Sequence, residues 1–335
     1  MNYFAQDYFE ARSRFLASAS RAGAKLHRLP IRARGPAGDE LSVDIATLGD
    51  LSSGRVLLHT SGIHGVEGFA GSALQIAALE RGGFKVPAVF VHILNPYGMA
   101  WLRRVNENNV DLNRNFAQEY RALDDSYARI DASLNNELPT PVYFSRLAAQ
   151  ILVRGYRPLK NAIMQGQYEF PKGLSYGGQK LEESTRLYKN WLKQNVKNAK
   201  TVFAIDVHTG LGPFAEEVLF CYTNESNFKF GRKVTQPKAP IGYNVAGGLH
   251  ALTAELFADT KHVHFTQEFG TEGNLKLLNC LRLENQAFQR EAKTSAANLR
   301  LMRAMNPESE VWQQKVIDQG LATLNSSMKW LAESD

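Results

Sequence analysis

The chain of 335 residues holds only two cysteines, Cys221 and Cys280. Two thiols build neither a disulfide framework nor a four-cysteine zinc site. A reducing compartment is the simpler expectation. No apolar run approaches the ~18 residues that a membrane span needs. The longest, such as AVFVHIL (88–94), have the length of buried strands. The opening residues, MNYFAQDYFEARSRF, mix acids and bases among aromatics. They lack a basic segment followed by an apolar one, so no secretory signal is expected, and the expected location is the cytoplasm. Charge of one sign is scarce too: 39 Lys and Arg against 33 Asp and Glu leave a net charge of +6. The densest basic stretch, RLYKNWLKQNVKNAK (186–200), sets its cations around Leu187, Trp191, Leu192 and Val196. That is the wet face of an amphipathic helix. No zinc finger or stacking motif accompanies it, so neither nucleic acid nor a membrane is expected as a partner.

What is present is enough apolar mass for a core. Hydrophobic residues make up 44% and charged ones 21%, which excludes a mainly disordered chain. Segments 40–49, 55–62, 86–98, 201–210, 216–223 and 262–270 read as strands. Segments 7–26, 64–80, most of 117–156, 181–194 and the tail from Asn274 read as helices. Near-continuous apolar strands alternating with helices predict a mixed or parallel α/β sheet covered on both faces. With no internal repeat or long linker, residues 1–335 are expected to form one domain, with 120–180 as an elaboration. Ligand chemistry in such folds gathers at the carboxyl ends of the strands.

Three stretches at strand ends carry polar groups. In HTSGIHGVEG (59–68), His64 and Glu67 stand three apart in a glycine-rich turn. Imidazole and carboxylate from one short loop can converge on a metal ion, and His208 in VFAIDVHTG offers a third ligand. The alternative is a polar loop whose histidine caps the next helix. In NENNVDLNRNF (106–116), Asn113 and Arg114 can form a planar donor array for a carboxylate, with Arg104 just upstream; a structural ion pair is the bland alternative. In HVHFTQEFGT (262–271), Glu268 sits late in an apolar strand. A carboxylate is costly to bury there unless it meets a cation or works as a base. His262 and His264 form an H-x-H, a pattern that strands also carry for structural reasons alone.

The order HGVEG, NPYG, RVNENNVDLNRNF, DVHTG, QEFGT resembles the zinc carboxypeptidases of the M14 type. GQYEFPKGLSYGG (166–178) is similar to their bacterial DUF2817 branch. The resemblance implies an eight-stranded mixed sheet between helices. It implies that His64, Glu67 and His208 hold Zn2+, that Glu268 is the general base and that Arg104 polarises the scissile carbonyl. It further implies that Asn113 and Arg114 bind the substrate's terminal carboxylate and that Asp111 orients His64. A mobile tyrosine upstream of the base maps to Tyr243, although IGYNVAGG matches the family poorly. Asp206 either props His208 or holds a second ion; both readings stay open, with one ion expected.

Zn2+, Glu67 and Glu268 sum to zero charge, and Arg104 with Arg114 adds two positive ones. That surplus fits a free carboxylate beside the scissile bond. The expected activity is hydrolysis of such an amide, first as a carboxypeptidase acting on a small peptide. The alternative is a deacylase of the aspartoacylase or succinylglutamate desuccinylase kind, acting on an N-acyl amino acid. Three rivals are weaker. GLSYG (173–177) fits G-x-S-x-G around Ser175, but Pro171 and Lys172 stand where the elbow needs a strand. Gly62, Gly65 and Gly68 miss the close first glycine pair of a dinucleotide fingerprint. A binding module without catalysis predicts a broken site, and none of the polar groups is missing. Tyr168 and Tyr176 are expected at the cleft rim.

Overall fold

The computed structural model describes residues 2–221, 245–292 and 294–333. Asp7 caps the first helix, α1 (Tyr8–Arg21), by accepting from the Glu10 amide at 2.8 Å. The helix ends sooner than its apolar spacing suggests, because Lys25–Arg34 forms an edge strand, β1. β2 (Glu40–Leu48) pairs antiparallel with β1 and is buried on both faces beyond Glu40, so it does not alternate as expected. β3 (Arg55–Ser61) leads into α2 (Gly68–Arg81).

β4 is shorter than the apolar run around it, spanning Ala88–His92. Asn95 caps the short helix α3 (Pro96–Ala100), with Pro96 in the first turn where no amide hydrogen is needed. The segment from Ala117 is helical only from α4 (Asp131–Leu134) onward, followed by α5 (Thr140–Arg154) and α6 (Tyr156–Met164). Then come α7 (Glu183–Asn195), β5 (Thr201–Gly210) and β6 (Glu217–Cys221). After residue 244 follow α8 (Leu249–Leu256), β7 (Lys261–Gly270), α9 (Asn274–Gln289), α10 (Ala296–Met305) and α11 (Glu310–Glu333).

The strands form one sheet in the order β1-β2-β4-β3-β5-β7-β6. Seven strands are present among the described residues, against the eight expected. The four central strands run parallel, and β2 and β6 flank them antiparallel. All ten residues of β5 are buried, as a central strand covered on both faces requires. Phe203, Ile205 and Val207 face a core shared with α1, α2 and α11. Val202 and Ala204 face the opposite core, with Tyr188, Trp191 and Leu192 of α7 and Leu249 and Leu252 of α8. β3, β5 and β7 are adjacent and parallel, so their carboxyl ends meet at one edge. His64, His208 and Glu268 lie at those ends.

Candidate metal centre

The turn after β3 is held against the segment that follows α3. The Gly65 amide donates to the Arg104 carbonyl at 3.0 Å, and the Val66 amide to the Arg103 carbonyl at 2.9 Å. Gly65 is required here, because a Cβ would collide with the backbone of Gly98 and Met99. One backbone pairing thus fixes His64, Glu67 and Arg104 together. Asp111 begins a tight turn, accepting from the Asn113 amide at 2.9 Å, and the turn carries Asn113 and Arg114.

His64 Nδ1 stands 3.0 Å from Glu67 Oε1, and His208 Nδ1 stands 3.0 Å from Glu67 Oε2. The two histidine Nδ1 atoms are 3.1 Å apart. All three side chains are buried. The far nitrogens are engaged: His64 Nε2 lies 3.1 Å from Asp111 Oδ1, and His208 Nε2 lies 2.7 Å from Asp206 Oδ2. A carboxylate can only accept, so each Nε2 carries a hydrogen and each ring, once its inner nitrogen is deprotonated, turns a lone pair inward at Nδ1. Two lone pairs and a carboxylate then face one another at about 3 Å, an arrangement that requires a proton or a cation between them. Donor atoms around a tetrahedral ion with bonds of about 2.0–2.1 Å lie about 3.4 Å apart. The donor set therefore fits a metal ion with small adjustment. Among the described residues it is the group of three or more metal-ligating side chains that converges in this way.

The electrostatics agree with the geometry. Burial opposes charge on Glu67, but His64, Arg104 and the His208 hydrogen bond outweigh it and hold the carboxyl well below its usual range. Arg104 Nη1 donates to Glu67 Oε1 at 2.6 Å, and the Thr209 amide donates to Oε2 at 3.1 Å. Burial likewise opposes charge on His208, yet Asp206 and Glu67 raise its pKa well above the ordinary value. Asp111 is held low against its burial by His64, Arg114 and Arg104. Glu268 is different. It is 6% exposed, and burial pushes its pKa up to about 7, with His208 opposing and Glu67 adding to the rise. The amide of Leu211 donates to its Oε1 at 2.9 Å.

A cavity of about 160 Å³ opens on this group, and His64, Glu67, Arg104, Asn113, Arg114, His208 and Glu268 all line it. Arg114 is buried. Its Nη1 donates to the Asn113 carbonyl at 2.7 Å and its Nη2 to the Met164 carbonyl at 2.6 Å, while Nε has no partner. The Leu249 amide fixes Asn113 by donating to its Oδ1 at 2.9 Å. Asp111 and Asp206 sit behind the histidines. Tyr243 lies outside the described residues.

The placement of the two rim tyrosines is corrected, and the discounted rivals stay discounted. Tyr168 packs behind the site, where its hydroxyl donates to the Arg114 carbonyl at 2.7 Å, and Tyr176 joins the core beside α7; neither forms the rim. Ser175 lines the cavity but sits in a turn at φ 57°, paired through Gln167 and Tyr176, with no helix after it. His264 Nδ1 meets Thr253 Oγ1 at 3.1 Å and His262 Nδ1 meets the Thr260 carbonyl, so the H-x-H holds no shared site. Sequence reasoning missed His250, which lines the cavity beside Arg114, and Thr209, Leu277 and Met305. Thr209 lies within DVHTG and was within reach of that motif. The others arrive through tertiary packing and left no local signal.

The family model described as "Protein of unknown function (DUF2817)" matches residues 4–319. The chain belongs to that family. No curated protein sequence matches this DUF2817 chain. Among solved structures it is similar to the carboxypeptidase A from Helicoverpa armigera, at 11% identity and a TM-score of 0.56, covering 100% of this chain and 75% of that one. Bovine thrombin-activatable fibrinolysis inhibitor matches at 13% identity and a TM-score of 0.49, over 95% and 97% of the two chains. At such identities the likeness to carboxypeptidase A is one of fold. A mixed α/β sheet with helices on both faces is common to the two.

Proposed function

We propose that the protein is a zinc-dependent hydrolase that cleaves an amide bond beside a free carboxylate. The carrying observation is the meeting of two inward lone pairs and a carboxylate, each histidine propped by an acid, with Glu268 next to them. His64, Glu67 and His208 would hold the ion. Zinc bound there supplies Lewis acidity and a water acidified toward neutral pH.

The chain's own residues do the rest. Glu268, with its proton affinity raised toward neutrality, takes a proton from the attacking water and gives it to the leaving amine. Arg104, anchored on Glu67 and Asp111, faces the cavity with a fixed positive charge and stabilises the oxyanion as it develops. Asn113 and Arg114 receive the substrate carboxylate. Arg114 lines the cavity with one hydrogen of each terminal nitrogen spent on a backbone carbonyl and a second left for an acceptor. Asp111 and Asp206 fix the tautomer of the two histidines. Tyr243 is kept as the candidate mobile tyrosine on sequence order alone. The chain is read as one catalytic unit, with 120–180 contributing the cavity wall. A carboxypeptidase reaction on peptides and the deacylation of an N-acyl amino acid share this chemistry.

The test is metal content together with turnover. Elemental analysis should find about one zinc per chain, and hydrolysis of N-acyl amino acids or short peptides should vanish on chelation and return with zinc. Full activity of the metal-free protein would refute the reading.

A further inference from the structure

The cavity is polar at its deep end and apolar along its walls. Helix α6 runs the depth of it, from Tyr156 to Met164, about 12 Å at 1.5 Å per residue. Tyr156 is 41% exposed at the mouth, where Asn274 Nδ2 donates to its hydroxyl at 2.9 Å. At the other end the Met164 carbonyl accepts from buried Arg114. Between them the walls are Leu159 and Ile163 of α6, Leu147 and Ile151 of α5, and Leu278 and Leu281 of α9, with half-buried Lys160 of α6 also in the lining. A carboxylate at Arg114 and an amide at the metal group leave the rest of a substrate lying along these side chains toward the mouth.

That wall selects by chemistry. Each methylene laid against it gains about 0.8 kcal/mol. A peptide amide placed among the aliphatic side chains loses its water and finds few partners, at about 1–3 kcal/mol, and a second carboxylate loses more, with Lys160 as the cation in the lining outside the deep end. The run of α6 past these walls, about 12 Å, leaves room for a ring or an extended six-carbon chain between the metal group and the mouth.

We propose that the acyl part of the substrate is an apolar group the size of a ring or a six-carbon chain. The substrate class is then a hydrophobic N-acyl amino acid, neither a succinyl conjugate nor an extended peptide. Water adds to the acyl carbon and the C–N bond breaks. The amine takes the proton, which gives a hydrophobic carboxylate and the free amino acid. The identity of the bond rests on the function proposed above; the preference rests on the walls alone.

The experiment compares N-acetyl-, N-hexanoyl-, N-phenylacetyl- and N-succinyl-alanine, and an alanine tripeptide, on the zinc-loaded full chain. The expected result is a kcat/KM that rises roughly fourfold per methylene, with phenylacetyl and hexanoyl far above succinyl and tripeptide. Ile151→Asn should flatten the series; the wild-type series decides by itself if that variant does not fold. Succinyl or tripeptide cleaved as well as hexanoyl overturns the inference and leaves amide hydrolysis standing. If nothing is cleaved, the proposed function fails separately. Calorimetry on the same protein then judges the walls: at least tenfold tighter binding of hexanoyl- than succinyl-alanine supports them, and equal binding overturns them.

Discussion

His208 and Glu268 are direct partners in the parallel pairing of β5 with β7. Partnered residues of neighbouring strands project to the same face, so register alone sets the raised carboxyl of Glu268 beside the inward lone pair of His208. Glu268→Gln should therefore keep its zinc and lose turnover by about 10²–10⁴-fold. In the wild type only the ionised carboxylate accepts a proton, so kcat/KM falls as pH drops through the Glu268 pKa. Burial puts that value at about 7, and a neighbouring cation lowers it. The ascending limb is expected at or below pH 7, and a flat profile between pH 5 and 8 would remove Glu268 as the base.

Metal and protons compete for the same lone pairs. Zinc binding to the metal-free protein should release protons and weaken steeply on acidification, because His208 holds its proton well above the ordinary histidine range. Asp206→Asn and Asp111→Asn each free a histidine tautomer and should weaken zinc binding by about 10–100-fold. Competition with a chromogenic chelator measures this. Unchanged affinity in both variants would mean that the carboxylates do not set the tautomers.

The central strands were legible because a parallel strand buried on both faces is almost continuously apolar. RVLLHTSG and TVFAIDVHTG need no partner to be recognised. β1 was not legible, since KLHRLPIRAR carries four Lys and Arg and a proline on a half-exposed edge. Its apolar residues extend the periodicity of α1, and only pairing with β2 separates them. The same contrast runs through the site. His64, Glu67 and His208 stand at strand ends, where sequence points to chemistry. His250 and the apolar wall from α5 and α6 reach the cavity by packing, and packing leaves no spacing to read.

Arg114 is held by two backbone carbonyls, with a second hydrogen left on each terminal nitrogen. Arg114→Ala should raise KM for substrates with a free carboxylate by about 10–100-fold, the range for a hydrogen bond to a charged group. The corresponding amides should change little. Arg114→Lys keeps the charge but loses the fork, and should recover only part of the loss. Equal losses on acid and amide substrates would argue for a purely structural arginine.

Two other histidines report on stability. His59 and His92 are fully buried, and burial pushes their pKa values down to about 4 and about 3. In the unfolded chain they bind protons near pH 6.5. Between those values the unfolded state holds more protons, so stability rises with pH there and is lost on acidification. Each contributes on the order of 3–5 kcal/mol by this linkage. Urea unfolding of the metal-free protein should show the advantage of wild type over His92→Asn narrowing from pH 7 to pH 5. A constant difference would mean that His92 titrates normally.

Gly65 couples the metal group to Arg104 through the backbone, beside the Arg104–Glu67 ion pair. Its amide donates to the Arg104 carbonyl, and its missing Cβ lets the turn lie on Gly98. Gly65→Ala must push the two segments apart, at a cost on the order of 3 kcal/mol. Because His64, Glu67 and Arg104 all hang on that contact, zinc affinity and kcat should fall together in whatever fraction folds. Gly273→Ala is the control: a Cβ there meets nothing within 4 Å, and substitution should cost under about 1 kcal/mol. Calorimetric unfolding with zinc titration separates the two. If Gly65→Ala were as stable as Gly273→Ala, the close approach of the two turns would not be what holds the site in shape.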